Sequence, residues 1–265
     1  MPTYTVTIDM SQQTVNDLSE NNFLLYGFKA VRSSVPGAPL VWFRTNSYGT
    51  VTDLNWTQGF QAYTSTSQIV PGGRIRATNS YVADLGQTLE VTGTNGTGTV
   101  VQSGTQGAVS VHNLTNNKFT CGISEEQPEG TVAPMCACPL FGNNLDVIAP
   151  IAKILLTFST LPVNTGTVIF QAYSPGLLID LTGVTSREVQ YDINSGWQWG
   201  GGAWARQIPA NADLVPLLIE SSVSLSQEPR TVASDVGPAI PVPASEPAGS
   251  GKPEALAGVV NGRTS

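Results

Sequence analysis

Glycine, asparagine and proline punctuate this chain so closely that little between them is long enough to fold as a helix. The 265 residues include 27 glycines and 18 prolines, and the segments between these breaks alternate apolar residues with threonine, serine and asparagine. A period of two puts one set of side chains on a core face and the other toward solvent, which is the pattern of a half-buried strand. The densest turn chemistry is TGTNGTGTVVQSGTQG at residues 92–107. Its Asn95-Gly96 pair is a two-residue hairpin signal, because both residues tolerate positive φ.

Strands are expected at 4–8, 22–31, 40–48, 50–64, 73–79, 87–92, 98–102, 107–113, 118–124, 167–173, 177–181, 188–193 and 214–223. Residues 147–160 are almost continuously apolar; Pro150 and the β-branched content favour a buried strand pair there over a helix. One brief helix is expected over 12–20, capped by Ser11, with Val15 and Leu18 on one side. About a dozen short strands with turn signals between them make an all-β fold, an antiparallel β-sandwich.

The acidic segment SEEQPEG at 124–130 reads as a loop and an internal boundary. It divides the chain into a sandwich unit at 1–125 and a second β unit at 126–225. Residues 226–265 are rich in proline, alanine, serine and glycine and hold no aromatic residue; this composition is expected to form a disordered tail. The two β units are expected to be related and packed together. FQAY occurs at 60–63 and 170–173, F-x-T at 43–45 and 158–160, GTV at 49–51 and 166–168, and Asn-Asn at 21–22 and 143–144, in the same order. Related units require the two FQAY segments to occupy equivalent places in the fold.

Charged residues make up only 12% of the chain and the net charge is −7, with no basic run, which argues against nucleic acid as a partner. It argues less against membranes, since aromatic residues can bind zwitterionic lipid. The N-terminus lacks a basic and an apolar signal region, so cytoplasmic accumulation or release by a non-classical route is expected. Residues 147–158 are too short, and too broken by Pro150 and Lys153, to span a bilayer. The sequons at Asn55, Asn95 and Asn113 read as chance matches in an Asn/Thr-rich chain.

Catalytic patterns are sparse. His112 is the single histidine; it alternates with Val109 and Val111, which turns it away from their face, and Ser110 beside it has no nucleophile-elbow context. Cys121, Cys136 and Cys138 with His112 match no standard zinc spacing, and three buried free thiols are expected. Asp146, Asp180, Glu188 and Asp192 are the carboxylates available for general acid/base work on a sugar, and no spacing pairs them. Phosphate-cradling and calcium-loop motifs are missing. No catalytic residue, metal or cofactor is assigned.

The most distinctive segment is YDINSGWQWGGGAWARQIP at 191–209, with three of the five tryptophans around three glycines. Two readings compete: a core plug at a sandwich corner, or indoles exposed to stack on a sugar or enter a lipid interface. Tyr191, Trp197, Trp199 and Trp204 are the first candidate contact residues, followed by Trp56 and Tyr63. In composition and layout, though in no motif, the chain resembles small bacterial and fungal β-rich lectins and cytolysins, so no residue carries over from them. The expectation is a non-enzymatic binding protein, lectin-like or toxin-like, whose partners are a glycan or lipid surface and, in a homo-oligomer, further copies of the chain. A structural or self-assembling subunit is the alternative, and a glycan-active hydrolase the third reading.

Overall fold

The computed structural model describes residues 2–221, so the expected tail at 226–265 lies outside the described residues. The described residues form one compact unit. In chain order the elements are β1 (Thr3–Asp9), α1 (Gln12–Glu20), β2 (Leu24–Ser33), β3 (Ala38–Pro39), β4 (Phe43–Thr45), β5 (Val51–Thr57), β6 (Phe60–Ser65) and β7 (Asn79–Val82). Next come β8 (Thr88–Val91), β9 (Gly98–Val101), β10 (Val109–Asn113), β11 (Phe119–Glu126), β12 (Val132–Pro134), β13 (Cys136–Leu140) and β14 (Leu145–Ser159). The last are β15 (Gly176–Asp180), β16 (Ser186–Asp192), β17 (Gly196–Gln198), β18 (Ala205–Ile208), α2 (Val215–Leu218) and β19 (Ile219–Ser221).

The fold is all-β. Three sheets, rather than the two faces of a simple sandwich, enclose the core. One has the order β17-β16-β1-β5; the second runs β18-β15-β14-β10-β8-β9, with β2 beside β14 and β4 and β19 beside β2; the third runs β3-β13-β11-β6-β7, with β12 on β11. Most pairs are antiparallel, but β1–β16, β8–β10 and β2–β19 are parallel. One core cluster draws on all three sheets, with Val6 and Ile8, Leu25 and Val31, and Ala62 and Ile123 among its members.

The strand β2 shows why the pattern does not simply alternate. Its even residues Tyr26, Phe28 and Ala30 enter a second core cluster. Leu25 and Val31 enter the main one. Both faces are therefore covered, and Lys29 falls on the main-core face. Gly27 shares that face; a Cβ there would lie 2.0 Å from the Phe43 ring, so only glycine lets that ring pack flat.

Several expectations change. Residues 147–160 form one long strand, β14, not a strand pair: it pairs with β2 along most of its length and absorbs an irregularity between Ile151 and Ile154. Residues 167–173 form no strand; Val168, Thr167 and Gln171 bridge singly to Leu40, Arg74 and Asp213, three separate partners. Residues 214–223 begin with α2 rather than a strand, where the Asp213 carboxylate accepts the Val215 N–H at 2.9 Å. The strand expected at 73–79 lies in the loop before β7. The acidic segment 124–130 begins inside β11, so no domain boundary falls at 125. The duplication also fails its own test: FQAY at 60–63 opens β6, whereas FQAY at 170–173 lies outside any strand.

The helix α1 forms as expected, with the Ser11 hydroxyl accepting the Thr14 N–H at 3.1 Å. Thr14 and Leu18 are its buried residues, and Val15 is only partly covered. The hairpin signalled by Asn95-Gly96 forms between β8 and β9, with Gly96 at φ +84°, but through the six residues 92–97 rather than a two-residue turn, and without a positive φ at Asn95.

Candidate functional site

The tryptophan segment is a structural corner. The residues β17 and β18 are joined through Gly200 and Gly201, whose φ values of +71° and +79° favour glycine. A Cβ on Gly202 would strike the Trp204 ring at 2.2 Å. Trp197 is 3% exposed and stacks on Phe158 with centroids 5.7 Å apart, while Tyr191 lies 4.8 Å from it. Trp199 is half-buried and donates its indole N–H to Gly202 O at 2.8 Å. Trp204 is half-buried beneath Arg187, 4.5 Å from its centroid. Trp56 and Tyr63 are buried in the core, and the Tyr63 hydroxyl donates to Cys136 O at 2.6 Å. The exposed-aromatic reading is thus corrected for Trp197, Trp56 and Tyr63, which are buried, while Tyr191, Trp199 and Trp204 are half-buried.

Trp56 instead belongs to an internal cation cage. Lys29 Nζ lies 4.2 Å from the Trp56 centroid and 4.8 Å from that of Trp42. It forms an ion pair with Glu125 at 3.0 Å, with both side chains almost completely buried. The attraction between them is coulombic first and a side-chain hydrogen bond second. Burial lowers the Lys29 pKa and raises that of Glu125, and each partner offsets part of the other's shift. The space beside the pair is a narrow slot under Tyr4, Gln58 and Pro150. A lysine alone in the apolar run NFLLYGFKAV was the available sign; its partner, in a segment read as a loop, was not recognisable.

The other polar candidates are engaged in structure. Cys121, Cys136 and Cys138 are free and buried. Cys121 donates to Asp146 at 3.3 Å, and burial pushes its thiol pKa well up. No group of metal-binding side chains occurs among the described residues. His112, half-buried on β10, pairs in register with Leu145 and Glu90. Asp192 accepts the Asn194 and Ser195 N–H groups and the Thr14 hydroxyl, and Asp180 accepts the Thr182 N–H. A narrow apolar crevice of about 20 Å³ near Tyr26, Leu155 and Ile169 is a seam of the second core cluster, and the Tyr26 hydroxyl there is already donated to Leu161 O.

The open recess lies elsewhere. A groove of about 750 Å³ runs between Pro36–Gly37, residues 65–70, the start of β11 and the end of β13. Its walls carry Ile69, Val70, Phe119, Phe141 and Phe170 with Ser65, Thr66, Ser67 and Gln68. Val70 is 45% exposed and Phe141 47%, and Lys118 Nζ sits 4.8 Å over the Phe141 ring. The loop 66–78 is tied back: the Thr120 hydroxyl donates to Ser67 O, the Ser65 hydroxyl to Arg76 O, and Gly72 N–H to Val168 O. Phe170 is shared with a second depression that reaches Pro71 and Tyr173, the latter 53% exposed. An exposed apolar surface of this continuity is the usual mark of a contact site. Sequence reasoning missed it because its residues come from five separate segments, most of them turns; the run IVPGG at 69–73 is the one local hint.

No protein-family model matches the chain, and no curated protein or solved structure matches it significantly.

Proposed function

We propose that this chain is a non-enzymatic binding protein, lectin-like or toxin-like, acting at a cell surface or membrane, and that it makes contact through the groove rather than the tryptophan corner. The observation that carries this reading is the groove itself, where Val70, Phe141 and Phe170 stand beside hydroxyl and amide groups in an open recess. Of the four carboxylates weighed for hydrolysis, Asp146, Asp180 and Asp192 are held by neighbouring donors, Glu188 is exposed on β16, and none of the four lines the groove, which speaks for binding there. The test is glycan-array and vesicle binding by the full chain and by a Phe141→Ser, Val70→Ser variant. Loss of binding in a folded variant supports the reading; binding by neither protein to either surface refutes it.

A self-assembling subunit is the second reading. The edge strands β7 and β5 favour it, since Val82 is 73% and Val51 61% exposed and each strand has an open hydrogen-bonding edge. Light scattering after size exclusion separates the two: a large regular assembly favours the subunit, and a monomer or dimer the binding protein.

A further inference from the structure

We infer that the partner of this groove is an anionic phospholipid surface. The inference rests on the binding reading above and adds the chemistry of what is bound. The exposed apolar side chains Val70, Phe141 and Tyr173 provide the part of the surface that enters the acyl boundary. Three cations stand with them. Lys118 lines the groove over Phe141. Arg74 and Arg76 are exposed on the loop that carries Val70. The backbone of Arg76 is fixed to two groove serines, with Ser65 Oγ donating to its carbonyl and its N–H donating to Ser67 Oγ. Arg74 spends its Nε–H on Thr165 O and keeps its terminal nitrogens free of that bond.

The charge pattern decides between the surfaces. The ion pairs among the described residues engage Lys29, Arg32 and Lys153, and none engages Lys118, Arg74 or Arg76. No carboxylate lines the groove. The neighbouring depression holds Asp213, which accepts the Val215 N–H. The hydroxyls and the Gln68 amide beside Phe141 would serve a neutral glycan, but such a ligand gives the three cations no role. Unpaired cations beside protruding apolar residues fit an anionic headgroup layer instead. The net charge of −7 repels such a surface as a whole, so the contact is local and holds one orientation.

The experiment is vesicle flotation with the full chain. One set of vesicles is phosphatidylcholine alone, and the other contains phosphatidylserine as well. The wild type is expected to float only with the second, and to be released by high salt. Reversal of all three cations, in R74E/R76E/K118E, is expected to lower affinity by at least about two orders of magnitude, since loss of the three positive charges alone gives about fivefold each. V70S/F141S is expected to bind weakly while keeping its salt dependence. Circular dichroism confirms that the variants fold. Equal binding to both vesicle types, full binding by the charge-reversed variant, or no vesicle binding at all overturns the inference. A glycan array on the same samples then separates the two readings. Glycan binding lost in V70S/F141S, with no vesicle binding, overturns the lipid partner and leaves the surface-binding function standing. Binding to neither overturns both.

Discussion

Replacing Lys29 by methionine keeps the stem that packs between Trp42 and Trp56 and removes the charge facing Glu125. Glu125 is 2% exposed, so its carboxylate has no water to turn to and escapes by taking up a proton. Bringing a carboxyl of ordinary pKa 4.5 to its neutral form at pH 7 costs about 3.4 kcal/mol, at about 1.4 kcal/mol per pH unit. The lost cation–ring contacts add about 1 kcal/mol. K29M should therefore lose about 4 kcal/mol at pH 7, within the range of about 3–5 kcal/mol for breaking a buried pair. The sign of the pH dependence follows. In the variant Glu125 has a raised folded pKa, so its neutral form leaves no penalty near pH 4.5, and the cost grows as pH rises above that. K29M/E125L, which removes both charges, should recover most of the loss or exceed the wild type. Urea unfolding of the four members of the cycle at pH 5 and pH 7 measures this. A K29M cost below about 1 kcal/mol at pH 7, or one equal at both pH values, would refute the argument.

Four further outcomes are expected. Trp197→Ala should cost about 3–5 kcal/mol in denaturant unfolding, because a nearly closed aromatic cluster loses its largest member; Trp204→Ala should cost clearly less, since that ring is only half-buried. The hydrogen bond from the Ser195 N–H, followed by that from the Thr14 hydroxyl, holds the Asp192 pKa below its ordinary 3.8. Its stabilisation is therefore complete above that value and lost as pH falls through the lower folded pKa; Asp192→Asn should be less stable than wild type at neutral pH, with the gap closing on strong acidification. A thiol reagent should modify none of the cysteines in the native protein and all of them after unfolding, given their burial and the raised pKa of Cys121 and Cys138. Glu220→Gln should shift stability by less than about 1 kcal/mol, since its bonds to Arg32 and Lys153 are part-exposed.

Where one face of a strand is wet, the sequence reads correctly. In β5 the residues Thr52, Leu54 and Trp56 are buried and their neighbours exposed, as the alternation of VTDLNWT requires. The Ser11 cap and the hairpin at Asn95-Gly96 are local chemistry and were legible for the same reason. Legibility fails where both faces are covered. In β2 a charged residue inside an apolar run carries no sign of what it faces, and Glu125 looks like one member of an acidic loop until β11 brings it across the core. Residues 167–173 alternate like a strand, yet each bridge they make is to a different neighbour, a tertiary fact that local pattern does not encode. Of the four aromatic residues in the tryptophan corner only Trp197 is fully buried, although the corner carried the strongest composition signal. The groove carried almost none, because a recess is made by the ends of elements and not by any one of them.

The parallel pairing of β1 with β16 has a consequence for the order in which this protein can be made. Thr5 lies beside Ser186 and Asp9 beside Gln190. During synthesis the first strand can join β5 early, since Thr3–Thr57 closes within the first stretch of chain. Its other edge stays open until β16 leaves the ribosome. At about 5–20 residues per second that wait lasts on the order of ten seconds or more. An emerging chain therefore holds an unpaired strand edge through most of its elongation, and yield in the cell should depend on how well that edge is shielded until β16 arrives.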